Sequence, residues 1–289
     1  MAAFYPLTFE PIYKAKIWGG RRFATLFNRE LPAGENIGES WEVADRDSDV
    51  SVVKSGSLAG MSLRQLREQY PVEMFGKHAD EYQSRFPLLL KFLNAEEKLS
   101  IQVHPDNRYA QKNESDEGKT EAWYVVDAMP GAEIIRGFRA GTTREKVVKA
   151  LQQNRLEALV STYPAAKDDA IFIPPGTVHA AGSGLVICEI QQNSDVTYRV
   201  YDYNRTDASG KRRELHVAKA LDVISFRDTG APKLKPVKIE PLHYRLAICD
   251  YFSLYSYDYR EPIHENSLNC FRILVNFEGH GTIISPEGL

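Results

Sequence analysis

Short alternating or apolar segments, separated by turn residues, dominate the hydrophobic pattern of this sequence. Residues 1–60 alternate between strand-like runs and glycine-rich turns. The same pattern predicts strands in later stretches of the chain, at 91–104, 122–126, 171–179, 185–201, 251–259 and 270–277. Apolar positions at helical spacing predict helices at 62–69, 143–159 and 216–224. The chain is therefore predicted to be mainly β, with a few inserted helices.

The stretch 185–201 places its polar residues on one face if the strand alternation continues unbroken. The turn signal at 193–195 can shift that face, so only Asp195, Thr197 and Arg199 are predicted to share it. In a half-exposed strand such a face meets solvent. In a β-barrel that holds a ligand, it lines the cavity instead.

A possible metal site follows from the positions of four side chains. Gln102 and His104 alternate along a strand, so they point the same way, ~6.6 Å apart. Glu121 stands where a polar loop enters a strand, and His179 follows a Pro-x-Gly-x-x-His turn. Two imidazoles, a carboxylate and an amide oxygen leave coordination positions for water or substrate, as a catalytic site requires. The alternative is that His104 is only a lone histidine near a strand end.

Composition and charge narrow the classes of protein. With 289 residues, 43% of them hydrophobic, the chain can bury a full core. Three cysteines without a Cys-x-x-Cys pair indicate neither a disulfide framework nor a thiolate zinc site. The net charge of −3, from 36 basic and 39 acidic residues, provides no broad positive field for nucleic acid or an anionic membrane. No apolar run approaches ~20 residues and no leader is visible, so a cytoplasmic location is expected.

Five motifs in order give the sequence a specific resemblance to a known family. They are 87–91 (PLLLK), 99–105 (LSIQVHP), 118–123 (GKTEAW), 173–180 (IPPGTVHA) and 199–205 (RVYDYNR). Together they resemble the type I mannose-6-phosphate isomerases in their short bacterial form. The resemblance runs from residue 13 to about residue 223, and more loosely to the end of the chain.

The resemblance implies a fold and a division of the chain. The implied fold is a cupin double-stranded β-helix, or jelly roll, with a second, partial cupin-like half at the C-terminus. We expect a metal-binding catalytic domain at 1–230 and a strand-rich domain at 231–289. Pro232, Pro236 and Pro241 suit a linker between them.

The resemblance also implies a reaction and a metal. The reaction is the zinc-dependent interconversion of mannose 6-phosphate and fructose 6-phosphate, by proton transfer between C1 and C2. One Zn²⁺ per chain would be bound by Gln102, His104, Glu121 and His179. The expected partner is a small sugar phosphate.

The remaining site residues are assigned by the motif match. Arg199 would stabilise the developing oxyanion. Asp195 would orient Arg199 or relay a proton. Lys119 matches a family lysine at the active site. Lys91 and Ser100 would bind the phosphate end of the substrate, because a lysine serves well as a phosphate-binding point charge.

Two other classes of function remain open. A non-catalytic metal cupin that binds a sugar would keep the metal ligands, but it has no need for Lys119 and Arg199 together. An Fe(II) cupin dioxygenase uses two histidines and one carboxylate, which His104, His179 and Glu121 could supply. The additional Gln102 and the basic surroundings argue against that second alternative.

Overall fold

The computed structural model describes residues 4–207, 209–227, 230–262 and 270–284. Its strands, in chain order, are β1 (Ile12–Gly20), β2 (Ile37–Val43), β3 (Asp45–Arg46), β4 (Asp49–Val50), β5 (Leu88–Ala95), β6 (Ile101–Val103), β7 (Glu121–Ala128), β8 (Glu133–Phe138), β9 (Val160–Pro164), β10 (Ala170–Ile173), β11 (His179–Ala181), β12 (Leu185–Gln192), β13 (Tyr198–Tyr201), β14 (Val237–Glu240), β15 (His243–Ile248) and β16 (Ser253–Tyr257). Its α-helices are α1 (Arg22–Phe27), α2 (Leu63–Gln69), α3 (Pro71–Phe75), α4 (Asn107–Asn113), α5 (Arg144–Gln152) and α6 (Val217–Val223). The prediction of a mainly β chain with inserted helices is confirmed.

Two antiparallel sheets face each other and enclose the central core. One has the strand order β1-β2-β5-β12-β7-β10, and the other has the order β13-β6-β11-β8-β9. Apolar side chains from both sheets meet between them, including Trp123 and Ile187 from the first and Ile134 and Ala181 from the second. Two facing antiparallel sheets form the predicted jelly roll. They remain two separate layers rather than one closed barrel.

The outer faces of the two sheets are covered by the inserted helices and the C-terminal stretch. Val147 of α5 and Leu221 of α6 pack on the five-stranded sheet in one cluster with Val103. Phe23 of α1 and Phe75 of α3 pack against the six-stranded sheet, where both are fully buried. Each sheet is therefore covered on both faces, by the other sheet on the inside and by helices or the C-terminal stretch on the outside. This packing holds the two sheets in position relative to each other.

The three predicted helices, α2, α5 and α6, begin within one residue of the expected positions. The helices α1, α3 and α4 were not predicted, and α4 lies in the stretch that was predicted to be a polar loop. Ser62 caps α2 in a capping box with Gln65, and Thr143 caps α5. The predicted helix at 143–159 ends at Gln152, because Asn154 adopts the left-handed conformation with φ 53°. A short 3₁₀ turn follows it.

The polar face predicted for 185–201 is interrupted at a change of sheet. β12 ends at Gln192 in the six-stranded sheet, whereas β13 begins at Tyr198 in the five-stranded one. The prediction that Asp195, Thr197 and Arg199 share one strand face is therefore wrong. Asp195 and Thr197 lie in the connection between the sheets, and Asp195 is exposed.

The C-terminal part forms a three-stranded antiparallel sheet of β14, β15 and β16. The prediction of a further strand at 270–277 is wrong, since none occurs within the described stretch 270–284. Its side chains nevertheless alternate between packed and exposed positions. The packed ones contact the outer core of the six-stranded sheet and are Phe271, Ile273, Val275 and Phe277. The domain boundary after residue 230 stays a prediction, and parts of the second domain, 263–269 and 285–289, lie outside the described residues. In the portion of the chain described, no helix has both the length and the apolar character to cross a membrane.

Candidate metal centre

Three buried side chains converge between the two sheets. His104 follows β6, Glu121 opens β7, and His179 opens β11. One ligand atom from each lies within 4.8 Å of the others. Nε2 of His104 is 3.4 Å from Oε2 of Glu121, and Nε2 of His179 is 3.2 Å from Oε1. All three side chains are at most 1% exposed, so water does not screen them.

Sheet pairing brings these residues together from distant parts of the sequence. His179 pairs directly with Gln102 where β11 meets β6, and His104 lies two residues further along the same strand direction. Glu121 comes from the facing sheet, where it pairs with Gln191 of β12. The centre therefore depends on the packing of both layers.

Main-chain carbonyl groups determine which nitrogen of each imidazole is protonated. Nδ1 of His104 lies 2.9 Å from the carbonyl oxygen of Val196, and Nδ1 of His179 lies 2.8 Å from that of Thr177. A carbonyl oxygen can only accept, so Nδ1 is the donor in both rings. Each ring therefore turns its Nε2 toward Glu121. Histidines that bind metals are commonly held in this way.

The convergence of three acceptors leaves buried polar atoms without partners. Nε2 of His104 and both carboxylate oxygens of Glu121 have no hydrogen-bond partner among the described residues. Buried polar atoms normally have partners, because leaving them unpaired is costly. A cation between the lone pairs and the carboxylate would satisfy all of them. The residues therefore fit a metal ion.

The protonation states also suit a metal site. Burial, followed by the charge of Lys119, lowers the pKa of His104 to about 3, so its ring is neutral at neutral pH. Burial, the largest single influence, would raise the pKa of Glu121, but Lys119 and the two adjacent histidines together outweigh it and lower that pKa well below its ordinary value. Neutral imidazoles and an ionised carboxylate are the forms that bind metals.

Gln102 and Lys119 complete the immediate surroundings. Nε2 of Gln102 lies 3.3 Å from Nε2 of His179, so its carboxamide reaches the same space. In this orientation the amide donates to the histidine lone pair, and a half-turn of the amide would present its oxygen instead. Nζ of Lys119 is 3.4 Å from Oε2 of Glu121 and is almost fully buried. The structure thus brings both predicted residues to the centre.

Lys91 lies one row deeper between the sheets, in a pair that the sequence analysis did not identify. Nζ of Lys91 is 2.9 Å from Oε1 of Glu189, the residue opposite it on β12. Oε2 of Glu189 accepts from the indole of Trp123 at 2.7 Å, and that ring packs edge-on against His179. Burial would lower the pKa of Lys91, but Glu189 and Glu39 raise it, so the lysine stays charged. The sequence signal that could have indicated this pair is a charged residue, Glu189, within an apolar strand segment.

Arg199 lies on β13 among other arginines. Its Nη1 donates to the carbonyl oxygen of Glu214 at 2.8 Å, while its buried Nε has no partner within the described chain. Arg205 and Arg213 both pair with the buried carboxylate of Asp202. Arg205 also pairs with Glu97, so carboxylates as well as guanidinium groups belong to this cluster. No role was predicted from the sequence for Asp202 or Arg213.

The two remaining candidates, Ser100 and Asp195, are placed differently. Ser100 is buried immediately before β6. Asp195 is exposed, yet its charge is close enough to contribute to the raised pKa of Lys91. The roles predicted for both residues stay predictions.

Comparisons with known proteins agree with this arrangement. The family model "Phosphomannose isomerase type I, catalytic domain" matches residues 7–128. The chain is 38% identical to mannose-6-phosphate isomerase ManA of Bacillus subtilis, over 98% of this chain and 88% of the relative. The crystal structure of the mannose 6-phosphate isomerase from Bacillus subtilis superposes with a TM-score of 0.80 at 37% identity, covering 88% of this chain and 80% of that one. A zinc-bound mannose 6-phosphate isomerase shares the fold with a TM-score of 0.69 at 17% identity, covering 87% and 83%. The chain belongs to the type I phosphomannose isomerase family.

Proposed function

We propose that this protein is a zinc-dependent isomerase that interconverts mannose 6-phosphate and fructose 6-phosphate. The observation that carries the proposal is the convergence of the two Nε2 lone pairs of His104 and His179 on the Glu121 carboxylate. The names of its relatives support the substrate, and the zinc-bound family structure supports the metal. The cytoplasmic location inferred from the sequence belongs to the same proposal.

One zinc ion per chain would be held by His104, Glu121 and His179, with the carboxamide of Gln102 as a fourth ligand. When bound, zinc supplies a Lewis acid that polarises sugar oxygens. In the described part of the chain, the grouped carboxylate and imidazole ligands are His104, Glu121 and His179, a set that leaves positions for substrate, as catalytic sites do.

The protein's own residues would handle charge and protons around the sugar. Lys119, whose Nζ lies 3.4 Å from Oε2 of Glu121, would donate a hydrogen bond to a sugar oxygen. Arg199 would stabilise the oxyanion that develops as the proton leaves carbon, since its guanidinium stays charged and offers only donors. Asp195 would orient Arg199 or relay a proton from the exposed side of the site.

The phosphate group requires positive charge at a distance from the reacting carbons, so that the sugar is oriented. Lys91 and Ser100 are proposed for this end of the substrate. Because Glu189 already neutralises Lys91, the guanidinium groups around Asp202 would supply further donors to the phosphate.

A coupled assay for fructose 6-phosphate tests the proposal directly. We expect turnover of mannose 6-phosphate and none of unphosphorylated mannose, because the basic residues are proposed to bind the phosphate. Oxygen uptake, measured in parallel with the iron-loaded protein, should stay at background, since a dioxygenase would consume oxygen. Oxygen consumption without fructose 6-phosphate formation would overturn the proposal.

A further inference from the structure

The connection between β12 and β13 orients one of the histidines. Residues 193–197 belong to no strand, yet the carbonyl oxygen of Val196 within this stretch accepts the Nδ1 hydrogen bond of His104 at 2.9 Å. In a strand, the ladder of hydrogen bonds would hold such a carbonyl in place. Here the position of Val196 must be fixed by other contacts.

The side chain of Ser194 provides those contacts. Its hydroxyl is buried, donates to the carbonyl oxygen of Glu117 at 2.7 Å, and accepts from the main-chain N–H of Val196 at 3.3 Å. Glu117 begins the short stretch that leads into Lys119 and Glu121. The Ser194 hydroxyl therefore links Val196, whose carbonyl group orients His104, to the stretch that carries Glu121.

The surrounding bonds anchor Ser194 itself. Its carbonyl oxygen accepts from the side-chain amide of Gln191, the residue paired with Glu121 across the sheet. The preceding Asn193 donates from its side chain to the carbonyl oxygens of Asp45 and Phe86, at 3.1 and 2.7 Å. Because these bonds hold the start of the connection in place, the hydrogen bond between the Ser194 hydroxyl and the Val196 N–H restricts the position of Val196 as well.

We propose that Ser194 is a positioning residue of the metal centre. Its hydroxyl holds the Val196 carbonyl where it fixes His104 with Nδ1 protonated and Nε2 free to bind the ion. The inference rests on the proposed metal ligation and concerns metal retention, not the sugar reaction. Partners of metal-binding histidines commonly contribute to affinity in this way.

A merely structural role for Ser194 would have a different signature, and the chain offers a matched control. Ser51 is equally buried, and its hydroxyl also bridges two main-chain groups: it accepts from the N–H of Ala44 at 2.9 Å and donates toward the carbonyl oxygen of Glu42 at 3.4 Å. Ser51→Ala should destabilise the fold as any buried serine does. It should not alter the metal centre.

The test compares zinc release from the full-length protein and the two variants, using a chromophoric chelator in excess. Ser194→Ala should release zinc about tenfold faster than wild type, at the lower end of the range for outer partners of metal ligands. Ser51→Ala should stay within about twofold. Equal release rates for the two variants, at matched loss of unfolding stability, would overturn the proposal.

A second measurement, on the metal-free protein, adds a test that the wild type alone can fail. Histidine-selective ¹⁵N NMR reports which imidazole nitrogen carries the proton, and His104→Gln identifies the His104 signals. Wild-type His104 should be the Nδ1–H tautomer, and Ser194→Ala should show a mixture. An Nε2–H tautomer in wild type would contradict the inference. The zinc release rate and the imidazole tautomer are both measured without turnover. A protein that binds zinc but has no isomerase activity would therefore count against the proposed function and leave the role of Ser194 standing.

Discussion

Two carboxylates, Glu121 and Asp116, lie in neighbouring parts of the chain and have opposite surroundings. Asp116 accepts hydrogen bonds from the guanidinium groups of Arg46 and Arg85, at 2.9 and 2.8 Å, and from the N–H of Glu117. Glu121 is completely buried, yet neither of its oxygens has a hydrogen-bond partner among the residues described, and each faces an imidazole lone pair.

The difference separates a carboxylate with protein partners from one that fits a metal ion. Asp116 is satisfied by the protein, so it ties the loop before Glu121 to the N-terminal strands and needs nothing else. Lys119 is the cation beside Glu121 among the described residues, and a second positive charge between the carboxylate and the histidines would complete the arrangement. Glu121 is completely buried, whereas 13% of the Asp116 side chain is exposed. The partners of the carboxylate oxygens add the chemical difference between the two residues.

The largest effect should follow from removing a histidine that faces Glu121. His104→Ala or His179→Ala should lose zinc and activity together, by more than the about 10–100-fold typical of changes to outer partners. His243→Ala, at a half-buried histidine of β15, is the control and should keep both. Elemental analysis measures the zinc. Full occupancy in both alanine variants would refute the ligand assignment.

The comparison between the two carboxylates can be tested directly. Glu121→Gln should lose zinc, whereas Asp116→Asn should keep it. Asp116→Asn should instead lower the free energy of unfolding by about 1–3 kcal/mol, because hydrogen bonds from two arginines to a charged acceptor are lost. Zinc content and denaturant unfolding of both variants give the answer. Zinc loss in Asp116→Asn alone would reverse our interpretation.

Arg199 should affect turnover without affecting the metal. A guanidinium group has only donors and cannot be a ligand, so Arg199→Ala should keep its zinc. Loss of one donor to a developing oxyanion typically lowers turnover ~10²–10³-fold, whereas loss of a uniform binding contact raises KM alone. Exposed Arg155→Ala serves as the control. A folded, zinc-loaded Arg199→Ala protein within a few-fold of wild-type turnover would contradict the proposed role.

The smallest effect concerns acid stability. Burial would raise the pKa of Asp116, but the hydrogen bonds from Arg46 and Arg85 outweigh burial and lower it below 3.8. The stabilising contribution is therefore complete above the unfolded pKa and disappears as the pH falls through the lower folded value. The difference in unfolding free energy between wild type and Asp116→Asn should therefore shrink as the pH falls through and below the ordinary range of an aspartate pKa. A difference independent of pH would exclude an ionic contribution.

The sequence was sufficient to predict that His104, Glu121 and His179 come together, because these residues stand at recognisable turns and strand ends. His104 and His179 each come next to a proline-containing turn, and Glu121 opens a strand. The pairing of Lys91 with Glu189 could not be predicted, since it depends on the register between β5 and β12, which local pattern does not determine.

The two errors in strand assignment have a common physical origin. Alternation describes which side chains are buried, not which backbone groups pair. Asp195 continues the alternation of β12 although the chain has already left that sheet. Phe271 and Ile273 alternate inward from an extended segment without a strand partner within 270–284. In both cases tertiary packing decided the outcome.

The measurement that tests the central claim most directly is a zinc titration of chelator-treated protein, with zinc content and fructose 6-phosphate formation determined on the same samples. Activity should be absent at zero zinc, rise in proportion to bound zinc, and stop rising at one zinc per chain. The His104→Ala protein should show no recovery. Activity that persists after zinc is fully removed, or that returns equally in His104→Ala, would contradict the account.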